Sequence, residues 1–184
     1  YTDNSGYTWL SLLNTDGSID DTFGMHTFTG SGESGGAIFA LLNISNTVLY
    51  VGGSFSDVDG ISNSSGLMKL DSSGEIITYK SPFNYISLRS LLHSSDDKIY
   101  VGGYFTDTYD SSSNFYEYDN LCRLNVDGTL DSTFTNITVD GQNLTDVVYA
   151  LLQTVDGKIY VGGNFYNDIC SYLLRLNSDG TLDT

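Results

Sequence analysis

Tyr160-Val161-Gly162-Gly163-Asn164-Phe165 is the third copy of one string, after Tyr50-Val51-Gly52-Gly53-Ser54-Phe55 and Tyr100-Val101-Gly102-Gly103-Tyr104-Phe105, at spacings of 50 and 60 residues. Self-similarity at such a period marks repeat architectures, so the fold is read from it outward. Each copy follows an apolar run: residues 37–42, 86–92 and 147–152. A further string recurs four times: Leu13-Asn14-Thr15-Asp16-Gly17-Ser18-Ile19-Asp20, the degenerate Leu70-Asp71-Ser72-Ser73-Gly74-Glu75-Ile76, Leu124-Asn125-Val126-Asp127-Gly128-Thr129-Leu130-Asp131, and Leu176-Asn177-Ser178-Asp179-Gly180-Thr181-Leu182-Asp183.

These signals predict a unit of three strands. The apolar run is strand one. A tight turn such as Asp156-Gly157 leads to strand two, which carries Tyr-Val-Gly-Gly, because Gly tolerates the positive φ of hairpin turns. The paired glycines at 52 and 53, 102 and 103, and 162 and 163 leave room for another backbone or a large ring, and the Phe that follows is the expected ring. Strand three, as in Leu121-Cys122-Arg123-Leu124, ends at a second turn. There Asp16-Gly17, Asp127-Gly128 and Asp179-Gly180 form Asx-type turns. Residues 136–139 are expected to add a short fourth edge strand. No stretch carries apolar residues at helical spacing over three turns.

The expected fold is therefore all-β: repeated antiparallel meanders of three to four strands, arranged as propeller-type blades. The chain divides into a partial blade (1–23), repeat 1 (24–83), repeat 2 (84–134) and an incomplete repeat 3 (135–184). The strings Arg123 to Phe134 and Asp156 to Phe165 resemble the delta-60 repeat, a propeller-type repeat of secreted and cell-surface proteins. The resemblance spans nearly the whole chain and implies a scaffold with no defined reaction. Residues 54–80 depart from it, since Asp71-Ser72-Ser73-Gly74 lacks the Asp before Gly.

The net charge of −16, from 23 acidic and 7 basic residues, repels phosphate backbones and anionic lipid, which excludes nucleic acid as a partner. No window of 18 apolar residues occurs, so no membrane insertion by a helix is expected. The chain opens at Tyr1 without a secretory signal, so it is expected to be processed or a part of a longer protein. Cys122 and Cys170 are 48 residues apart, near one repeat length. A bridge between neighbouring units and two buried thiols both fit, and strand register decides.

His26 in a connector and His93 at a turn are read as structural. No catalytic motif is found, and neither catalytic nor cofactor-binding residues are expected. Asp57 and Asp59 open like a calcium loop but lack its closing acid, leaving calcium the one cofactor worth weighing. The insertion at 107–119 gathers Tyr109, Asp110, Tyr116, Tyr118 and Asp119, a set suited to stacking on a glycan or meeting a protein. Asn43, Asn63, Asn136 and Asn143 head glycosylation sequons, the last three in loop-like segments and so the better acceptors. The repeated Lys69, Arg123 and Arg175 are expected to pair with turn aspartates of the same or next blade.

The reading that follows is a non-catalytic extracellular module that stacks blades and presents loops, as in an adhesin, a surface layer or a filament. Its partners are other copies or neighbouring blades of a longer chain. The alternatives are a glycan- or protein-binding propeller using loop 107–119, and part of an enzyme whose site lies outside this segment.

Overall fold

The structure is a computed structural model and describes residues 8–30, 36–62, 65–77, 80–83, 87–110, 112–139, 142–143, 146–166 and 171–183. All regular structure among these residues is β. The chain starts with β1 (Thr8–Leu10) and β2 (His26–Thr29). The first blade is β3 (Ala37–Ser45), β4 (Val48–Ser54) and, after the two-residue β5 (Asp57–Val58), β6 (Leu67–Asp71). The second is β7 (Ser87–His93), β8 (Lys98–Tyr104) and β11 (Leu121–Asn125), with β9 (Asp107–Tyr109) and β10 (Phe115–Glu117) between the last two. β12 (Thr138–Val139) and β13 (Gln142–Asn143) precede the third: β14 (Val148–Gln153), β15 (Ile159–Tyr166) and β16 (Ser171–Leu176).

The three blades are superimposable in register. Strand two is central and antiparallel to both neighbours in each. Its Tyr pairs with Leu42, Leu92 or Leu152 on strand one, and its first Gly pairs with Leu67, Leu121 or Leu173 on strand three. Strand one carries one extra residue at the same place in each blade, at Phe39, Arg89 and Tyr149, between the partners of the two glycines.

The two glycines answer different demands. A Cβ on the second would collide with the strand-one carbonyl at the bulge: Ala37, Ser87 or Val147. A Cβ on the first would meet the next blade. On Gly52 it would lie 3.2 Å from Leu91 Cδ1, and on Gly102 2.5 Å from Val148 Cγ1, whereas on Gly162 nothing is nearer than 3.7 Å, and that atom is Ala150 of its own blade. Strand one of each blade thus lies against the face of the blade before it, β7 beside β3 and β14 beside β7. The core fills these seams: Tyr50, Leu67, Leu88, Tyr100, Leu121 and Val148 are all fully buried.

The four Asp-Gly-type turns share one geometry. Gly17, Gly74, Gly128 and Gly180 all have φ between +85° and +93°. Each turn is closed by a bridge, Leu13 to Ile19, Leu70 to Ile76, Leu124 to Leu130 and Leu176 to Leu182. Asp16, Asp127 and Asp179 accept the backbone N–H two residues on, at 2.9 Å. In the degenerate copy Asp71, two positions earlier, accepts the Ser73 and Glu75 N–H groups instead. The carboxylate has moved but its task has not.

Two expectations need correction. His26 does not lie in a connector; it is buried at the start of β2, which pairs with β1 and β5. The fourth strand is also not a simple addition at 136–139. β12 pairs with β13, while the segments before the first two blades reach the stretch beyond the Gly-Gly-x-Phe string, Phe28 opposite Val58 and Phe83 opposite Thr108. Rings make that choice: Phe28 meets Phe55 and Phe83 meets Phe105 edge-on at 5.0 and 5.1 Å.

Gly102→Ala is expected to lower stability by about 1–3 kcal/mol, because its methyl group must displace Val148. Gly162→Ala is expected to stay within about 0.5 kcal/mol of the unaltered chain. Urea denaturation of both variants checks this, and equal losses would remove the blade seam as the reason for the first glycine.

Candidate functional site

The Tyr/Asp insertion folds on itself. β9 and β10 pair antiparallel, Phe115 opposite Tyr109 and Tyr116 opposite Thr108. Asp110 shapes the tip by accepting the Ser112 and Asn114 backbone N–H groups. Tyr109 packs edge-on to Phe115 at 5.8 Å, and Tyr116 stacks on Tyr118 at 6.1 Å. Tyr118 was expected at the surface and is not there. It is buried, donates its hydroxyl to the Phe134 carbonyl at 2.6 Å, and has its pKa pushed up to about 12 by burial. The Phe134 ring draws it inward, and the sequence offered no sign that Tyr118 falls on the covered side. Asp119 is half-buried and accepts from Asn136.

Asp57 and Asp59 are already engaged. Asp57 accepts the Gly60 N–H at 2.7 Å, and Asp59 accepts the Thr27 N–H at 2.8 Å while facing His26 Nδ1 at 2.5 Å. His26 Nε2 contacts the Gly74 carbonyl, so the imidazole ties β2 to the turn of the first blade. Among the described residues no group of three metal-ligating side chains comes together. Cys122 is a free thiol in the core, its pKa raised by burial; Cys170 lies outside the described residues. Two of the four sequon asparagines have described side chains. Asn43 is exposed on β3, because the strand turns that side to solvent, while Asn136 is half-buried with its Oδ1 enclosed. Asn63 and the side chain of Asn143 lie outside the described residues.

What the sequence residues do build together is a clamp repeated at each seam. Tyr50 donates its hydroxyl to the Val126 carbonyl in the turn of the second blade at 3.0 Å, and Lys69 donates to the Asp127 carbonyl at 3.2 Å. One blade later Arg123 Nη1 donates to the Asp179 carbonyl at 2.8 Å, with its guanidinium over the Tyr100 and Phe134 rings. Its Nε also binds Asp131 of its own blade at 2.8 Å, and Lys98 reaches the same carboxylate at 3.1 Å. The third blade repeats this set, with Arg175 Nε on Asp183 at 2.5 Å and Lys158 on it at 3.2 Å. Its face is uncovered: the Arg175 side chain is 48% exposed against 8% for Arg123, and Leu152 and Leu173 are 62% and 55% exposed. The expected partners, turn aspartates of the same or next blade, are therefore split: a side-chain carboxylate within the blade, a backbone carbonyl beyond it.

A family model described as a domain of unknown function (DUF5122) β-propeller matches residues 94–134 and 156–184. Among solved structures, the extracellular domain of a one component system from B. thetaiotaomicron aligns over 100% of this chain at 16% identity and a TM-score of 0.42. The chain spans 28% of that structure's length. No curated protein matches. The meanders and the family model agree on the class: an all-β fold of propeller type.

Burial opposes ionisation of Asp131, but the Thr133 hydroxyl, Lys98 and Arg123 outweigh it and hold its carboxyl at about 2. An unfolded Asp titrates near about 3.9. The folded value is depressed, so this stabilisation is complete above pH ~4 and is lost as the pH falls toward ~2. Asp131→Asn is expected to lack that acid limb, on the order of 2 kcal/mol, in urea midpoints measured from pH 5 to 2.

Proposed function

We propose that this chain is a non-catalytic extracellular structural module that stacks blades of one repeat and presents their loops, as part of a surface or filamentous assembly. The observation that carries this reading is the recurrence of one directional seam, filled between blades one and two and between two and three, and open on blade three. Leu42, Tyr50, Gly52 and Leu67 receive Leu88 and Leu91; Leu92, Tyr100, Gly102 and Leu121 receive Val148 and Leu151. Leu152, Tyr160, Gly162 and Leu173 offer the same surface to a further blade. The fitting occupant presents an apolar pair on its first strand and a turn carbonyl for Arg175. The first blade leaves the complementary side partly open, with Leu41 54% exposed.

Two reactive side chains support a non-catalytic role: His26 is held on both ring nitrogens, and the Cys122 thiol is enclosed. The extracellular setting is supported by the exposed Asn43 sequon and the acidic surface.

Sedimentation velocity tests the reading. The chain is expected to self-associate at about 100 μM, a weak affinity suited to one seam. Leu173→Asp, on a side chain already exposed, is expected to leave the fold intact and abolish association. A chain that stays monomeric, or a variant that associates equally, would overturn blade stacking as its role.

A further inference from the structure

The insertion, the segment before the second blade and the turn of that blade enclose a cavity. The Tyr109 N–H donates to the Pro82 carbonyl at 2.8 Å, and Phe83 bridges Thr108, so residues 80–83 run beside β9. The turn at 128–130 closes the third side. The space between them is about 160 Å³, and Lys80, Pro82, Tyr109, Asp110 and Leu130 are among the side chains that line it. Its walls are fixed from behind. Ser81 is buried, donates to the Ser65 carbonyl at 2.8 Å and accepts the Phe83 N–H at 3.3 Å.

The volume limits the occupant. A cavity of about 150 Å³ admits a benzene ring, so this one holds a single six-membered ring. The lining limits its chemistry. Pro82, Tyr109 and Leu130 supply apolar wall. Lys80 is exposed and donates to the Ser113 hydroxyl at 3.3 Å; among the described residues it has no carboxylate partner, unlike Lys98 and Lys158. An ammonium group has three donors, so two of them are unspent. Asp110 Oδ1 accepts the Ser112 and Asn114 backbone N–H groups. Its Oδ2 accepts the Asn114 amide at 2.8 Å, with the Tyr116 hydroxyl no nearer than 3.5 Å, and so keeps room for a further donor.

A cation and a carboxylate thus border one small cavity and select against a net charge. An acidic ring is repelled by Asp110 and a cationic ring by Lys80. A neutral ring bearing hydroxyls uses both, accepting from Lys80 and donating to Asp110. We propose that this cavity binds one neutral pyranose unit, with Lys80 and Asp110 on its hydroxyls and Tyr109 and Pro82 against its C–H face. The site is separate from the open face of the third blade and does not rest on blade stacking.

NMR titration of the labelled chain with the methyl glycosides of glucose, galactose and mannose tests the assignment. At least one is expected to bind with a Kd of about 1 mM and to shift resonances of Lys80, Tyr109 and Leu130. The amino and uronate forms of that sugar, and proline as a small zwitterion, are expected to bind about tenfold more weakly or worse. Lys80→Met, on an exposed side chain, is expected to keep the fold and weaken binding about tenfold, and Tyr109→Ala to weaken it as much. The proposal is overturned by no shift with any of the three glycosides at about 100 mM, by shifts that leave these three residues unmoved, by a charged sugar or proline binding as tightly, or by unaltered affinity in the folded Lys80→Met chain. Should Tyr109→Ala not fold, Lys80→Met and the comparison of ligands on the unaltered chain decide.

Discussion

The contact of Val148 with the empty side of Gly102 is the constraint from which the rest follows. A side chain at Gly102 would hold the third blade away from the second, and with it the seam that buries Tyr100 and Leu121. The same holds of Leu88 and Leu91 over Gly52. Interiors pack at crystal-like density, so a missing Cβ on one sheet is useful only when a branched side chain on the next fills the space. A three-stranded meander cannot bury both of its faces alone, and the second blade here has one face covered by the first blade and the other by the third.

A tyrosine and two of the few cations join the seams by donating to turn carbonyls of the following blade. Turn carbonyls at Val126, Asp127 and Asp179 end against the preceding blade, and Tyr50, Lys69 and Arg123 supply the donors. Exposed ion pairs contribute little, but the Arg123–Asp131 pair is enclosed by rings and linked to a carbonyl of the next blade, so its removal would strand charge in a covered place. The many turn aspartates need no such help. Asp16 and Asp71 keep lowered pKa values through hydroxyl and backbone N–H donors of their own turns, and Asp127 and Asp179 through Thr129 and Thr181 with smaller contributions from Lys69 and Arg123. An acidic chain can thus carry a high negative charge without weakening its repeats.

Much of this was legible because the repeat writes it several times. Strand order, the turn positions and the close approach at the double glycine all follow from residues recurring in one order. Features that occur once were harder to read. Tyr118 sits in an unrepeated insertion, and only the location of Phe134 shows that it is covered. His26 reads as connector because four residues are too few for a period, yet its bonds to Asp59 and Gly74 make it part of the first blade's support. The Asp71 turn shows the opposite case, where chemistry persists after the string has changed. The strand-one bulge is likewise hidden, because Phe39, Arg89 and Tyr149 share a backbone position and not a residue type.

The seam also has a direction, and this bears on what an open face means. One side is a concave set of Leu, Tyr, Gly and Leu with a cation at its rim; the other is a branched pair on strand one and a turn with free carbonyls. The two sides are unlike, and between the blades of this chain each face meets the opposite side of its neighbour, a heterologous contact. A heterologous contact either closes into a ring or continues without limit, and the rotation per blade decides between them. Arg175 is already oriented for that contact by Asp183 and by the Tyr160 ring at 5.9 Å. The side chain that reaches across the seam in the second blade is thus held in the third by contacts within its own blade, so the clamp is built blade by blade before it spans a seam.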